Sequence, residues 1–239
     1  MRFRQKKDYG LGNTINCTSG MIHYFNQTGK KVDVFFESKA VEELLHSAYF
    51  INKVDSMQDY DFHSGMVNFK YPDYQHFFNL VCDKYGLSKA VIPHTYVTAP
   101  PVTDVGHVCI ARGCANPAKR KTKDAGDNVY VNIIEAIKAT GKKVVMVGSE
   151  SDREWNSYIL SKTNIEFVTG VYDSLCYIAS CSYWVSNDTG LYHAAGALGK
   201  KGFIMWVDTL FNKNKSPNLE FNHSHFDYLA EFKAWLGAI

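Results

Sequence analysis

The chain has 239 residues, 46% apolar and 21% charged, with 26 Lys and Arg against 24 Asp and Glu. That length and balance support a sizeable core in one large or two small domains and exclude a disordered chain. A formal net charge of +2 makes no bulk electrostatic case for nucleic acid, although Arg2, Arg4, Lys6, Lys7 and Lys119, Arg120, Lys121, Lys123 form local basic clusters.

The six cysteines contain no C-x-x-C pair. They suit reduced, mostly buried thiols better than a disulfide framework or a zinc site, so no metal centre is expected. Met1 to Lys7 is charged with no apolar segment behind it, and no run reaches the length of a membrane span. The expectation is a soluble, cytoplasmic protein.

In chain order, residues 2–8 are far too polar for the buried first strand that an α/β layer needs. Gly10 to Thr14 reads as a glycine-rich turn before a helix over 15–28 that ends at Gly29. A strand at 32–36, a helix at 40–48 and a strand at 49–54 follow. Residues 55–62 read as a loop, 66–69 as a strand and 73–85 as a helix closed by Gly86. Pro93, Pro100 and Pro101 cannot continue a helix or central strand, so the boundary falls between a domain at 1–97 and one at 106–239.

The second half alternates more cleanly. Strands are expected at 107–111, 143–147, 165–168, 183–186 and 203–207. Helices are expected at 128–140 (capped by Asp127), 150–162, 172–181 (opened by Asp173) and from Thr189 onward. A last amphipathic helix over 224–236 places Phe226, Leu229, Phe232 and Leu236 on one side. This is an α/β, Rossmann-like alternation.

Ligands of open parallel sheets bind beyond the carboxyl ends of the strands. Three segments fall at that edge here: 113–123, 148–154 and 187–193. Lys119 and Arg120 supply cations for phosphates. Glu150 or Asp152 can accept from ribose hydroxyls. Asp188 or Thr189 can cap a helix whose N-terminus, at Thr189 and Gly190, offers N–H groups to an anion. His193 lies on that helix. Together these residue types suit a nucleotide diphosphate.

Three stretches carry a family resemblance. Asn187-Asp188-Thr189-Gly190-Leu191-Tyr192-His193-Ala194-Ala195 resembles the D-[ST]-G-x-x-H-x-A signature of the heptosyltransferase-like glycosyltransferases. Gly113-Cys114-Ala115-Asn116-Pro117-Ala118-Lys119-Arg120 is similar to their G-x-x-x-x-x-K-R loop. Gly12-Asn13-Thr14 is similar to their N-terminal G-D-x-[IVL] segment. The resemblance implies a GT-B-like fold, two Rossmann-like domains with parallel sheets facing across a cleft. It implies transfer of a sugar from a nucleotide-diphosphate sugar, held by the second domain, to an acceptor hydroxyl on the first. Lys119, Gly113, Arg120, Thr189 and Gly190 would bind the donor, with Glu150 or Asp152 on its ribose, and Asp188 and His193 would line the site. No cofactor or metal would be required.

The departures matter. Asn13 stands where the family commonly has the aspartate that deprotonates the acceptor, and an amide cannot be a general base. Asp8, Asp61, His63 and Asp188 are the alternative bases, with Gly12, Asp61 and His63 on the acceptor side. Lys121 replaces the tryptophan that often follows Lys-Arg, and the chain is shorter than typical members, mostly in the acceptor half. A different acceptor is therefore expected. One option is a lipopolysaccharide or surface glycan. The other is a hydroxymethylated pyrimidine in double-stranded DNA, as in compact phage enzymes. The basic start and the aromatics Tyr60, Phe62, Phe69, Tyr71 and Tyr74, able to stack on an extruded base, favour DNA. Asn13 also motivates a third reading, a catalytically silent nucleotide-binding module.

Overall fold

A computed structural model describes residues 1–66, 73–98, 100, 102, 106–113, 122–207, 216–218, 220–225 and 227–239. The chain divides into two compact units, residues 1–98 with 210–217 and residues 99–209 with 218–239. Each is an α/β layer on its own parallel sheet.

In the first unit, β1 (Arg2–Gln5), β2 (Val32–Phe36), β3 (Ile51–Lys53) and β4 (Phe62–His63) lie in the order β3-β2-β1-β4. The polar start of the chain is thus an inner strand, contrary to the sequence expectation. Alternation explains it: Phe3 and Gln5 are fully buried, and the polar groups find partners close by. The Gln5 amide oxygen accepts from the Glu37 and Ser38 N–H groups (3.1 and 2.9 Å), and its nitrogen donates to Lys6 O (2.7 Å). Arg4 Nε donates to Glu37 Oε1 at 2.6 Å. A strand whose buried polar atoms are paired can sit inside a sheet.

Helix α1 (Leu11–Thr28) begins four residues before the expected start, so Gly12 and Asn13 lie in its first turn and not in a loop. Gly29 closes it in the left-handed region (φ 68°). Helix α2 is Lys39–Leu45, and α3 is Asp73–Tyr85, ended by Gly86 at φ 63°. Met66 is in no strand, and 67–69, where a strand was expected, lies outside the described residues. Small residues let α1 and α3 approach closely: a Cβ on Gly20 would stand 2.7 Å from Phe77 Cδ1, in a ring that is fully buried. Gly20→Ala therefore overpacks this contact, at about 1–3 kcal/mol, against a helix-propensity gain of about 1 kcal/mol. The expected result is a lower melting temperature by circular dichroism; an unchanged one would show that Phe77 yields freely.

Phe62, one of the aromatics expected to stack on a base, is instead core: it is 4% exposed and packs on Phe77 at 5.4 Å. Phe69 and Tyr71 lie outside the described residues.

In the second unit, β5 (Val108–Ala111), β6 (Val144–Gly148), β7 (Glu166–Thr169), β8 (Tyr183–Asn187), β9 (Gly202–Met205) and β10 (Phe221–Ser224) form the order β10-β9-β8-β5-β6-β7. Every residue of β5, β6 and β9 is buried, as parallel strands covered on both faces require. The helices are α4 (Asp127–Lys138), α5 (Glu150–Trp155), α6 (Ser157–Thr163), α7 (Val171–Ser180), α8 (Gly190–Ala197) and α9 (Tyr228–Gly237). Ile133, Ile134 and Ile137 of α4 pack with Val144 and Met146, and Phe203 meets Phe232 of α9 at 5.3 Å.

Three sequence expectations change here. The single helix over 150–162 is two, broken at Asn156, whose buried amide donates to Arg112 O (2.9 Å) and Asp152 O (2.7 Å). Asp127 is not the cap of α4; Gly126 holds that place, and Asp127 sits in the first turn beside Arg112 at 2.6 Å. Strand β10 is additional.

Both sheets reverse the direction of winding once. The chain leaves β1 toward β2 and β3 and returns to β4 on the other side. Likewise it leaves β5 toward β6 and β7 and returns to β8. The gaps between β1 and β4 and between β5 and β8 are therefore the topological switch points, where an open parallel sheet takes its ligands.

Candidate functional site

The second unit's switch point gathers most of the expected donor residues. Asn187, the last residue of β8, donates through its amide to Gly113 O (3.3 Å) and Lys123 O (2.9 Å) and accepts from the Gly113 N–H (3.4 Å). One buried side chain thus ties both ends of the 113–123 segment. Lys123 Nζ donates to Asp188 Oδ2, with the two side chains only 15% and 8% exposed. Sequence spacing places Lys123 in a basic cluster and does not pair it with Asp188. The signal was faint: Lys123 is one of four cations in its cluster, and only the fold selects it.

Thr189 caps α8, its Oγ1 accepting from the Tyr192 N–H at 3.1 Å. Asp188 does not act as that cap. The first N–H groups of α8, at Gly190 and Leu191, precede the capped one and stand at the open end of the helix. His193, in the second turn, is 6% exposed, and its Nδ1 is buried without a hydrogen-bond partner. Burial lowers its pKa; Asp188 opposes and Lys123 reinforces the shift, leaving it at about 4. The imidazole is neutral at pH 7, so it offers a ligand a hydrogen bond and no charge.

The two ribose candidates separate. Ser149 and Asp152 form a reciprocal capping box at the start of α5. The Asp152 carboxylate also lies over bare backbone, 2.9 Å from where a Gly113 Cβ would stand and 3.1 Å (through its own Cβ) from that of Gly148. A side chain at position 113 would therefore displace the Asp152 carboxylate. Glu150 instead has an exposed side chain whose partner is Arg153 at 3.6 Å. Lys119 and Arg120 lie outside the described residues.

Beneath this edge is Arg112, 2% exposed. Its guanidinium makes a two-pronged pair with Asp124, reaches Asp127 at 2.6 Å and Asn156 Oδ1 at 3.2 Å, and lies 4.3 Å over the Trp155 ring. It clamps the segment that carries Lys123 to α4 and to the α5–α6 break.

On the first unit, Gly12 and half-buried Asn13 stand in the opening turn of α1, beyond the carboxyl end of β1. Asp8 is exposed in the preceding loop and has no hydrogen-bond or ion-pair partner among the described residues. His63 ends β4 at the same edge. The Gly65 N–H donates to its Nδ1 at 3.0 Å, which puts the proton of the neutral ring on Nε2. Burial and then the Lys6 cation push its pKa down. His63 is therefore a hydrogen-bond donor at neutral pH and not the base it was expected to offer.

Asp61 is corrected for a different reason. It precedes β4, at the opposite edge of the sheet, where its carboxylate accepts from the Arg2 N–H (2.7 Å) and Tyr85 hydroxyl (2.8 Å) and pairs with Lys84 (2.9 Å). Burial alone would raise its pKa, but these donors outweigh it and hold the carboxyl at about 2. Such a weak base, far from α1's first turn, braces the fold. A depressed carboxyl contributes stability at pH values above its ordinary 3.8, lost as pH falls through 2. Asp61→Asn is expected to lower the unfolding midpoint at pH 7 and to have a much smaller effect near pH 2, where the folded-state carboxyl is half protonated; equal effects at both would show that the charge is irrelevant.

Among the described residues no group of three His, Cys, Asp or Glu side chains converges to hold a metal ion, and no helix is long and apolar enough to cross a membrane. Among the described residues, Cys17, Cys82, Cys109, Cys176 and Cys181 form no disulfide.

The architecture is an α/β fold of the GT-B-like kind, with two parallel sheets of Rossmann order. No protein-family model and no curated protein sequence matches the chain. Solved structures do. An E. coli ADP-heptose LPS heptosyltransferase II aligns with a TM-score of 0.77 at 13% identity, over 99% of this chain and 100% of that one. A glycosyl transferase family 9 protein from Veillonella parvula aligns at 0.74 and 11%, over 100% and 89%. E. coli heptosyltransferase WaaC, with ADP-2-deoxy-2-fluoro heptose, aligns at 0.71 and 12%, over 100% and 99%. At such identities the likeness is one of fold.

Proposed function

We propose that this chain is a glycosyltransferase that moves a sugar from a nucleoside-diphosphate sugar to an acceptor hydroxyl. The second unit would hold the donor and the first the acceptor. The observation that carries this reading is the β5–β8 switch point, where Lys123, neutral His193 and the N-terminus of α8 meet. A departing diphosphate gains charge as the glycosidic bond breaks; preorganised N–H groups and cations there stabilise it without a metal. Lys119 and Arg120 would add to that charge, and Asp152, placed over Gly113, suits the ribose hydroxyls better than Glu150.

On the acceptor side, Asp8 is the base we favour. Asn13 is an amide, Asp61 is tied at the far edge, His63 presents a donor, and Asp188 is already bound by Lys123. The acceptor we favour is a glycan: the fold matches enzymes described as LPS heptosyltransferases, and the DNA reading has lost Phe62 to the core.

The test is release of nucleoside diphosphate from a panel of nucleotide sugars, with glycan acceptors and with hydroxymethylated duplex DNA, in EDTA. Turnover with at least one donor and a glycan is expected. Lys123→Ala should raise the donor KM about tenfold to a hundredfold, the worth of a hydrogen bond to a charged group. Nucleotide binding with no turnover under any pairing would instead indicate a silent binding module.

A further inference from the structure

At the switch point of the first sheet, Tyr9, from the loop after β1, and His63, from the end of β4, flank the gap between those strands. Their rings are 6.0 Å apart and tilted by 38°. The Tyr9 ring lies on bare backbone: a Cβ on Gly65 would fall 2.2 Å from its Cζ. Tyr9 is nonetheless 36% exposed, so the ring is supported beneath and open above. The same Gly65 fixes His63, because its N–H occupies Nδ1 and leaves the proton of the neutral ring on Nε2. Ser64 completes the turn by accepting from the Lys6 N–H at 3.0 Å, which ties the two loops together.

We propose that this is a saccharide-binding platform: the ring face of Tyr9 takes the C–H face of a pyranose and His63 Nε2–H donates to one of its hydroxyl oxygens. The proposal rests on the glycosyltransferase reading and assigns the acceptor class on the first unit. A flat C–H-rich face over an aromatic ring, with one fixed donor at its edge, is the pairing of apolar and polar contacts a sugar requires. An extruded base requires more, a slot between two faces. No second face is available at Tyr60: its ring meets His63 edge-on at 89°, and Arg4 and Lys6 lie 5.7 and 5.6 Å from its centre. Among the described residues, one platform and one donor fit a sugar and leave a base half-held.

Saturation-transfer NMR on the full chain tests this, with the methyl glucopyranoside, mannopyranoside and galactopyranoside as probes and 5-hydroxymethylcytidine as the base. ADP binding is read in parallel by calorimetry. At least one glycoside is expected to show transfer to its ring protons. Tyr9→Ala and Gly65→Ala, the second displacing the ring without removing it, should each cut that signal about fivefold, equivalent to roughly 1 kcal/mol. His63→Ala should do the same and His63→Gln, which keeps an N–H donor, should recover it, with ADP affinity unchanged in all four. Glycoside signals that survive Tyr9→Ala and Gly65→Ala, no glycoside signal at all, or binding of 5-hydroxymethylcytidine alone would each overturn the proposal. Loss of ADP binding by the unaltered protein would instead count against the glycosyltransferase reading.

Discussion

Asp8→Asn should lower kcat by about 10²–10⁴-fold while leaving donor affinity intact, the range expected when a general base is removed. The change keeps size and removes only the basic oxygen. Asp8 is exposed and pairs with no described residue, so its loss carries no folding penalty that would mimic a catalytic one. Asn13→Asp is the companion experiment. It restores a carboxylate in the first turn of α1, where the positive end of the helix dipole favours an anion. If Asp8 is the base, Asn13→Asp recovers part of the turnover of the Asp8→Asn variant. An Asp8→Asn enzyme with unaltered kcat would show that deprotonation occurs elsewhere or needs no assistance.

The second large effect concerns stability. Arg112→Met should cost about 3–5 kcal/mol, since removing one member of a buried ion pair leaves its partner without compensation. Asp124 is 13% exposed, and the Arg112 side chain 2%. All four tryptophans, Trp155, Trp184, Trp206 and Trp235, belong to the second unit, so the denaturant midpoint followed by tryptophan emission reports that unit alone. Arg112→Met with Asp124→Leu should recover much of the loss, because an apolar pair of similar volume replaces a buried ion pair at little cost. Loss of less than about 1 kcal/mol in the single variant, the value of an exposed pair, would mean that water reaches the guanidinium.

The second unit was legible because its strands are uninterrupted apolar runs and its turns carry caps and glycines. Val144 to Gly148 and Gly202 to Met205 had no other place to go than a buried parallel sheet. Strand β1 was not legible, since Arg-Phe-Arg-Gln looks exposed until Glu37 and the Ser38 N–H, more than thirty residues on, are known to satisfy Arg4 and Gln5. Strand β10 failed for the same reason: Phe-Asn-His-Ser has one large apolar residue, and its strand pairing comes wholly from its neighbour β9.

For the site, the division is between what is local and what is not. Asp188, Thr189, Gly190 and His193 are contiguous, so one strand-to-helix turn delivers them together. Lys123 reaches Asp188 across 65 positions, and Asn187 reaches Gly113 across 74. Those pairings depend on β5 and β8 being neighbours, which composition does not encode. The base assignment shows the limit most clearly. Asp61 and Asp8 are both aspartates near the acceptor residues in sequence. Which end of the strands each one occupies is decided by register alone, with Asp61 beside Arg2 at the start of β1 and Asp8 past its end.

The most direct measurement is a crystal structure of the full chain with a nucleoside diphosphate. Its diphosphate should lie at the N-terminus of α8, within hydrogen-bond distance of the Gly190 or Leu191 N–H, with Lys123 Nζ alongside. A nucleotide bound anywhere else, with that helix end left to solvent, would contradict the donor site and the transfer built on it.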